Sequence, residues 1–204
     1  MNHKVNSVQN LHESAMSLYN ELVVNGDSSA DSILNNLSQG IENLKANWKG
    51  KDAGLRIQEV IRVYNAMVSV RNALASLAVD SSKVAANYRE IQNANGAGME
   101  TLTTLNYETK TVLPDYSDNA DTVDITPSAE AGKRFIDTAN NSIEPFASKV
   151  RVKYDELMQN WTAGTGRDNA QSAFDTFLTN VNQYKQTLSE VSSNIDKALR
   201  NYTF

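Results

Sequence analysis

The chain has no cysteine in its 204 residues, which excludes disulfides, thiolate metal sites and a cysteine nucleophile. Three prolines and nine glycines are too few for the many tight turns of an all-β fold. Aromatic residues make up 7%, sparse for the core of a large sandwich. The two histidines, His3 and His12, stand too far apart for the i, i+4 spacing of a helical metal pair. No run approaches the ~18 apolar residues that cross a bilayer. The opening MNHKVNSVQNLHES has neither an apolar core nor a small-residue cleavage site, so secretion would proceed without a cleaved signal peptide, the alternative being a cytoplasmic protein. Positive charge is in deficit, with 19 Lys and Arg against 24 Asp and Glu, and a net charge of −5 argues against nucleic acid as a partner.

Recognisable chemistry is also scarce. There is no HExxH, no Glu-x-x-His pair, no phosphate-binding GxxxxGK[ST] and no GxSxG. Gly26, Gly40, Gly50 and Gly54 are scattered, and the adjacent Asp155 and Glu156 read as solvated charges. His12 neighbours Leu11 and Ala15 and is expected to flank a packing seam. No catalytic, metal or cofactor site is expected, and the chain is not read as an enzyme.

What is present is apolar periodicity. From Ile136, apolar or small residues recur as Ala139, Ile143, Phe146, Val150, Tyr154, Leu157 and Trp161, with steps of three and four. The stripe resumes as Ala170, Phe174, Phe177, Val181, Tyr184, Leu188, Val191, Ile195, Ala198 and Tyr202. A mean step near 3.5 over several heptads is the seam of packed helices. The first half carries the same pattern with more noise: Val8, Leu11, Ala15, Leu18, Leu22; Ile33, Leu37, Ile41, Leu44, Trp48; Ile57, Val60, Tyr64, Met67, Leu74, Ala78, Ala85, Tyr88. Arg71 and Ser81 interrupt it at seam positions.

Between the halves lies YETKTVLPDYSDNADTVDIT, residues 107–126. Its five acids and one base account for −4 of the net −5, and Pro114 with the Asx-rich turns marks a linker or long loop. Asp115, Ser117, Asn119 and Asp121 alternate as calcium ligands do, but an EF-hand loop begun at Asp115 would have Ala120 for its glycine and Thr126 for its glutamate. The division is therefore a first helical hairpin over 1–106, an acidic linker over 107–126 and a second helical hairpin over 127–204.

Start and stop signals fit that division. Asn25-Gly26-Asp27 ends a helix, and Ser28 with Asp31 would cap a restart. Thr126 would cap the third long helix, with Pro127 at its first position. Pro145 should kink that helix. The NANGAG run at 93–98 ends the second. The expected fold is all-α: two long antiparallel helical hairpins in tandem, about 3–47 with 52–94 and 128–160 with 167–203, packed as an elongated four-helix bundle. Helices of ~35 residues would be roughly 50 Å long.

The turns carry the most information. The first, ENLKANWKGKDAG, places Trp48 and Gly50 at the end of one seam; the second, DELMQNWTAGTGRDNA, places Trp161 and Gly164 at the end of another. Each is followed by an aspartate, Asp52 or Asp168, where a carboxylate can cap the next helix. Glycine admits the positive φ of a helix end, and the indole can close the seam with its N–H near water.

This arrangement resembles the WXG family, small helical hairpins exported by type VII secretion in Gram-positive and mycobacterial cells. The chain looks like two such units fused. The first turn, Trp48-Lys49-Gly50, matches the motif; the second displaces glycine by one residue. The resemblance implies a four-helix bundle that acts by protein–protein contact, as a monomeric pseudo-dimer or a homodimer. Its partners would be the type VII machinery or a co-secreted effector. The linker would hold the second hairpin at an effective concentration on the order of millimolar. The family's Tyr-x-x-x-Asp/Glu export signal is not matched: Tyr88 is followed by Gln92 and Tyr184 by Leu188. An adaptor or chaperone for a larger effector is the second expectation. A helical sensor or pore-forming toxin component is the third, and liposome leakage would reopen it. Membrane binding is not favoured, because the polar helix faces are rich in Asn, Ser, Gln and Thr rather than Lys and Arg.

Overall fold

The computed structural model describes residues 7–23, 26–121, 123–161 and 165–202. The fold is all-α. Its helices are α1 (Val8–Val23), α2 (Ala30–Asn47), α3 (Lys51–Ala94), α4 (Ala129–Asn160) and α5 (Thr165–Tyr202). A single 3₁₀ turn, Gly26–Ser28, separates α1 from α2. Two-residue strands, β1 (Trp48–Lys49) and β2 (Asp124–Ile125), pair antiparallel with Trp48 opposite Ile125.

The seam residues fill the interior. Leu11, Leu18, Ile33, Leu37, Ile41, Leu44, Ile57, Val60, Met67, Leu74, Ile136, Ile143, Val150, Leu157, Leu188, Val191 and Ile195 are all buried. Residue pairs between helices give their directions. Asn43 meets Gly132, Ser28 meets Lys149 and Ser14 meets Asn160, so α4 runs antiparallel to the α1–α2 arm. Lys133 pairs with Asp196, Asn140 with Ser189 and Glu144 with Lys185, so α5 returns antiparallel to α4. Asp31 pairs with Arg71 and Gln9 with Arg89, so α3 runs antiparallel to α1–α2. The main packing contacts join α2 to α4, α1 to α3, and α3 to α5. The result is a helical bundle in which each long arm touches two others.

The noise in the first half now has a cause. α3 buries more than one stripe: Val63, Val70, Leu77 and Val79 are enclosed as well as the seam. Its partners are α1, α2, α5 and a segment laid along it, so a single heptad face cannot describe its burial.

Several local expectations are corrected. The restart after the 3₁₀ turn is capped by Ser29, whose Oγ accepts from the Ser32 N–H at 3.1 Å. Asp31 instead turns to Arg71. The residue preceding α4 is Ser128 rather than Thr126, and Pro127 lies in the turn before it. The Thr126 hydroxyl is drawn to Asn47 Oδ1 at 2.9 Å because its own N–H extends the β1–β2 pairing to the Asn47 carbonyl. α4 continues through Pro145 from Ala129 to Asn160, with Pro145 offering no N–H to the turn before it.

Candidate interaction site

Both tryptophan corners are built the same way. Trp48 has φ −138° and ψ 122°, Trp161 φ −133° and ψ 113°. Each closes its helix by donating its backbone N–H to the carbonyl four residues back, Leu44 or Leu157. An extended residue at this point turns the chain out of the helix while keeping one helical bond. The two corners stand at opposite ends of the bundle, since α4 runs against α2. Gly50 follows the first corner with φ 109°, a conformation that glycine adopts without strain. Gly164 lies outside the described residues.

Both indoles are packing elements. Trp48 is 1% exposed and Trp161 4%. The Trp48 Nε1 donor is buried and has no partner among the described residues, so the expectation of an indole N–H near water is corrected for this corner. At the first corner β2 folds over the helix end and places Ile125 opposite Trp48.

The cap expected of Asp52 is also corrected. Asp52 occupies the first turn of α3 and pairs with Arg56 at 3.5 Å, and Gly50, the residue preceding α3, makes no side-chain cap. The carboxylate at this helix start comes from far along the chain: Asp118 Oδ2 accepts from the Gly50 N–H at 3.1 Å. The Ala120 and Gly50 N–H groups hold the Asp118 carboxyl below its ordinary value. Asp168 stands exposed in the first turn of α5, where the helix dipole favours negative charge.

Asp118 belongs to the acidic segment, and that segment is the main arrangement not anticipated. α3 ends at Ala94, and the chain from Asn95 to Asp121 travels back along α3, from Asn93 to Lys51. It does so extended, on a ladder of side-chain amides. Asn93 binds both the N–H (2.7 Å) and the carbonyl (2.8 Å) of Met99. Asn72 does the same for Lys110 at 3.0 and 2.8 Å. Asn65 does the same for Leu113 at 2.8 and 2.9 Å. Gln58 Oε1 accepts from the Tyr116 N–H at 2.6 Å. Ser82 Oγ accepts from the Leu105 N–H at 3.0 Å.

The spacing follows from geometry. Residues 58, 65 and 72 are one heptad apart on α3, about 10.5 Å per step. Residues 116, 113 and 110 are three apart on the strap, about 10 Å per step in extended chain. The two repeats match, so one line of amides on α3 meets every third residue of the strap. Pro114 falls between rungs, where its missing N–H costs no contact.

The strap is also fastened to α1 and α2. His12 Nε2 lies 2.7 Å from the Thr103 carbonyl, and the Tyr19 hydroxyl donates to the Asn106 carbonyl at 2.7 Å. Arg71, buried at one of the expected interruptions, donates Nε and Nη2 to both oxygens of Asp31. Its Nη1 donates to the Glu108 carbonyl, and its guanidinium lies 5.7 Å from the Tyr107 ring centre. Lys110 approaches Asp31 at 3.7 Å. The carboxylates weighed as calcium ligands have other partners: Asp115 accepts from Gln58 and Asp121 from Lys51. Ser81, the other interruption, donates to the Leu77 carbonyl. The signal that would have exposed the ladder is the seven-residue repeat of Gln58, Asn65 and Asn72 beside the buried Arg71.

On the opposite side, α4 and α5 are joined by rings: Tyr154 and Phe174 are 5.0 Å apart, Phe146 and Phe177 5.7 Å. Burial and the nearby Asp175 carboxylate raise the Tyr154 phenol. Among the described residues no three His, Asp or Glu side chains converge as a metal cluster, and no helix is long and apolar enough to cross a membrane. No protein-family profile, curated protein or solved structure matches the chain.

Proposed function

We propose that the chain is a preformed pair of helical hairpins in tandem that works through protein–protein contacts, secreted or co-secreted in the manner of WXG-type proteins of type VII secretion. The two hairpins of one chain would stand where the family uses a dimer. What supports this reading is the repetition of one corner: Asn-Trp at the end of a seam, the same extended backbone at Trp48 and Trp161, and the same bond to the residue four back. The burial of both indoles supports a shaping role for the corners, with the contact surfaces then on the outer helix faces and the strap. The test is export from a type VII-competent Gram-positive host with and without its secretion ATPase. ATPase-dependent appearance of the chain in the medium is the expected result. Retention in the cytoplasm under both conditions, with the host's type VII effectors co-expressed, overturns export.

A second reading, an adaptor or chaperone for a larger effector, is favoured by one observation. Of the seven tyrosines from Tyr19 to Tyr184, none is followed four residues later by Asp or Glu. Stoichiometric co-purification with a large effector from the cytoplasm would select this reading over the first.

A further inference from the structure

We propose that the groove between α1–α2 and α3 is a binding site for an extended, acid-bearing segment of a partner protein, with residues 99–121 as its intramolecular occupant. The inference does not depend on the export reading. It rests on what the groove recognises. Asn93, Asn72 and Asn65 each hold the N–H and the carbonyl of a single residue. Any residue except proline offers that pair, so the ladder reads extended main chain, in a three-residue register at Lys110, Leu113 and Tyr116, rather than the strap's own side chains.

Charge narrows the class of occupant. Lys51 binds Asp121, Lys45 lies 4.6 Å from the Tyr116 ring centre, and Arg71 reaches the strap's backbone at Glu108. The free N–H at the start of α3 takes the Asp118 carboxylate. A segment with carboxylates toward its C-terminal end satisfies Lys51 and the Gly50 N–H, while Asp31, 3.7 Å from Lys110, accepts a cation at the Asn72 rung. A segment basic at its C-terminal end would instead meet Lys51 and a helix N-terminus.

The resident strap is held mainly by contacts that water can replace. Between Met99 and Asp121 only Leu105 is buried; Leu102, Tyr107, Leu113 and Tyr116 are half-buried and the rest mostly exposed. The strap leaves α3 through Gly96 (φ 88°) and Gly98 (φ 59°), a pair of glycines with open space around them. Tethering gives it an effective concentration on the order of millimolar, which a partner's segment must overcome.

The probe is a fluorescein-labelled peptide of residues 99–121. The receptor is the full chain with those residues replaced by Gly/Ser of equal length. One-to-one binding is expected, at least about tenfold tighter than to the intact chain, whose groove is filled. Asn65→Ala with Asn72→Ala in the receptor should weaken it by about tenfold or more. A peptide N-methylated at Lys110 and Leu113 keeps every side chain but loses the N–H bonds to Asn72 and Asn65 Oδ1 and crowds both amides, and should fail to bind. No binding at about 1 mM, or binding indifferent to those changes, overturns the proposal. If the Gly/Ser chain does not fold, the intact chain with protease sites at Ala97 and Val123 is folded and then cut. Exchange of the severed strap for labelled peptide is the expected result, and failure to exchange overturns it. A concentration-dependent dimer of the intact chain, abolished by Asn65→Ala and Asn72→Ala, would assign the groove to the strap of a second copy and overturn the partner form.

Discussion

Gly54 and Asp118 share a space that admits no side chain on the helix. A β-carbon on Gly54 would lie 2.5 Å from the Asp118 backbone nitrogen, while Asp118 caps the Gly50 N–H one turn earlier. The strap therefore lies directly on the helix backbone. Gly54→Ala forces its end outward and breaks the cap. The expected cost is about 1–3 kcal/mol, the usual range for overpacking. Denaturant melting measures the loss, and hydrogen exchange should show it concentrated at Gly50 and Ala120. An equally stable protein with those amides still protected would contradict the packing described.

Acid should loosen the same end and the α4–α5 seam. The Asp118 carboxyl is held down by two backbone N–H groups, and Glu144 by its bond to Lys185. A carboxylate whose folded pKa lies below its unfolded value contributes stability above the unfolded pKa, about 4. That contribution fades as pH falls through the folded value. The melting midpoint should thus decline from about pH 4.5 downward. Asp118→Asn should lower stability at pH 7 and flatten this decline. An unchanged acid profile in Asp118→Asn would remove Asp118 from the account.

The seams were legible because burial repeats along a helix. Ile33 to Trp48 and Ile136 to Trp161 lie on the inside at every predicted position. The strap was not legible, since extended chain held by side-chain amides leaves no apolar alternation of its own. Its recognition signal sits on α3, at Gln58, Asn65 and Asn72, polar residues that read as a solvated face. Arg71 and Ser81 looked like flaws in the seam for a related reason: their partners, Asp31 with Glu108 and the Leu77 carbonyl, lie within hydrogen-bond reach only in the folded chain or the helix itself. The caps failed at Asp52 and Thr126 because long-range partners, Asp118 and Asn47, took over or diverted the local chemistry.

Trp48 separates shape from hydrogen bonding. Its ring is 1% exposed and its Nε1 donor has no partner among the described residues. Trp48→Phe loses area but no bond, and should cost about 1–2 kcal/mol. Trp48→Ala leaves a cavity and should cost about 3–5 kcal/mol. Chemical denaturation of the two variants supplies the comparison. Equal losses would show that the indole N–H contributes a bond of its own.

Gly132 pits helix propensity against close approach. Replacing glycine by alanine inside a helix stabilises by up to about 1 kcal/mol. A β-carbon here, however, would lie 2.8 Å from Asn43 Oδ1 and 3.0 Å from Leu44 Cγ and Cδ2. Asn43 Oδ1 already accepts from the Gly132 N–H, so it cannot withdraw without losing that bond. Overpacking of about 1–3 kcal/mol should win, and Gly132→Ala should be net destabilising. A higher melting temperature would mean that α2 and α4 separate more easily than their packing implies.

Arg71 is the residue on which helix pairing and strap attachment meet. Its side chain is 3% exposed, and one guanidinium serves both Asp31 oxygens and the Glu108 carbonyl. A lysine ammonium keeps the charge but cannot present donors in those separate directions. Removing one partner of a buried pair typically costs about 3–5 kcal/mol. Asp31 would retain Lys110 at 3.7 Å and is partly open to water, so a loss nearer 3 kcal/mol is expected for Arg71→Met. Arg71→Lys should recover less than half of that loss. The double variant Arg71→Met, Asp31→Leu removes both charges and should be more stable than Arg71→Met alone, because no carboxylate is then left facing an apolar side chain. Hydrogen exchange should report the weakened attachment at the Lys110 amide in every Arg71 variant. If Arg71→Lys matched the parent in both melting and exchange, the fork geometry would carry no weight, and the strap would be fastened by the amide ladder alone.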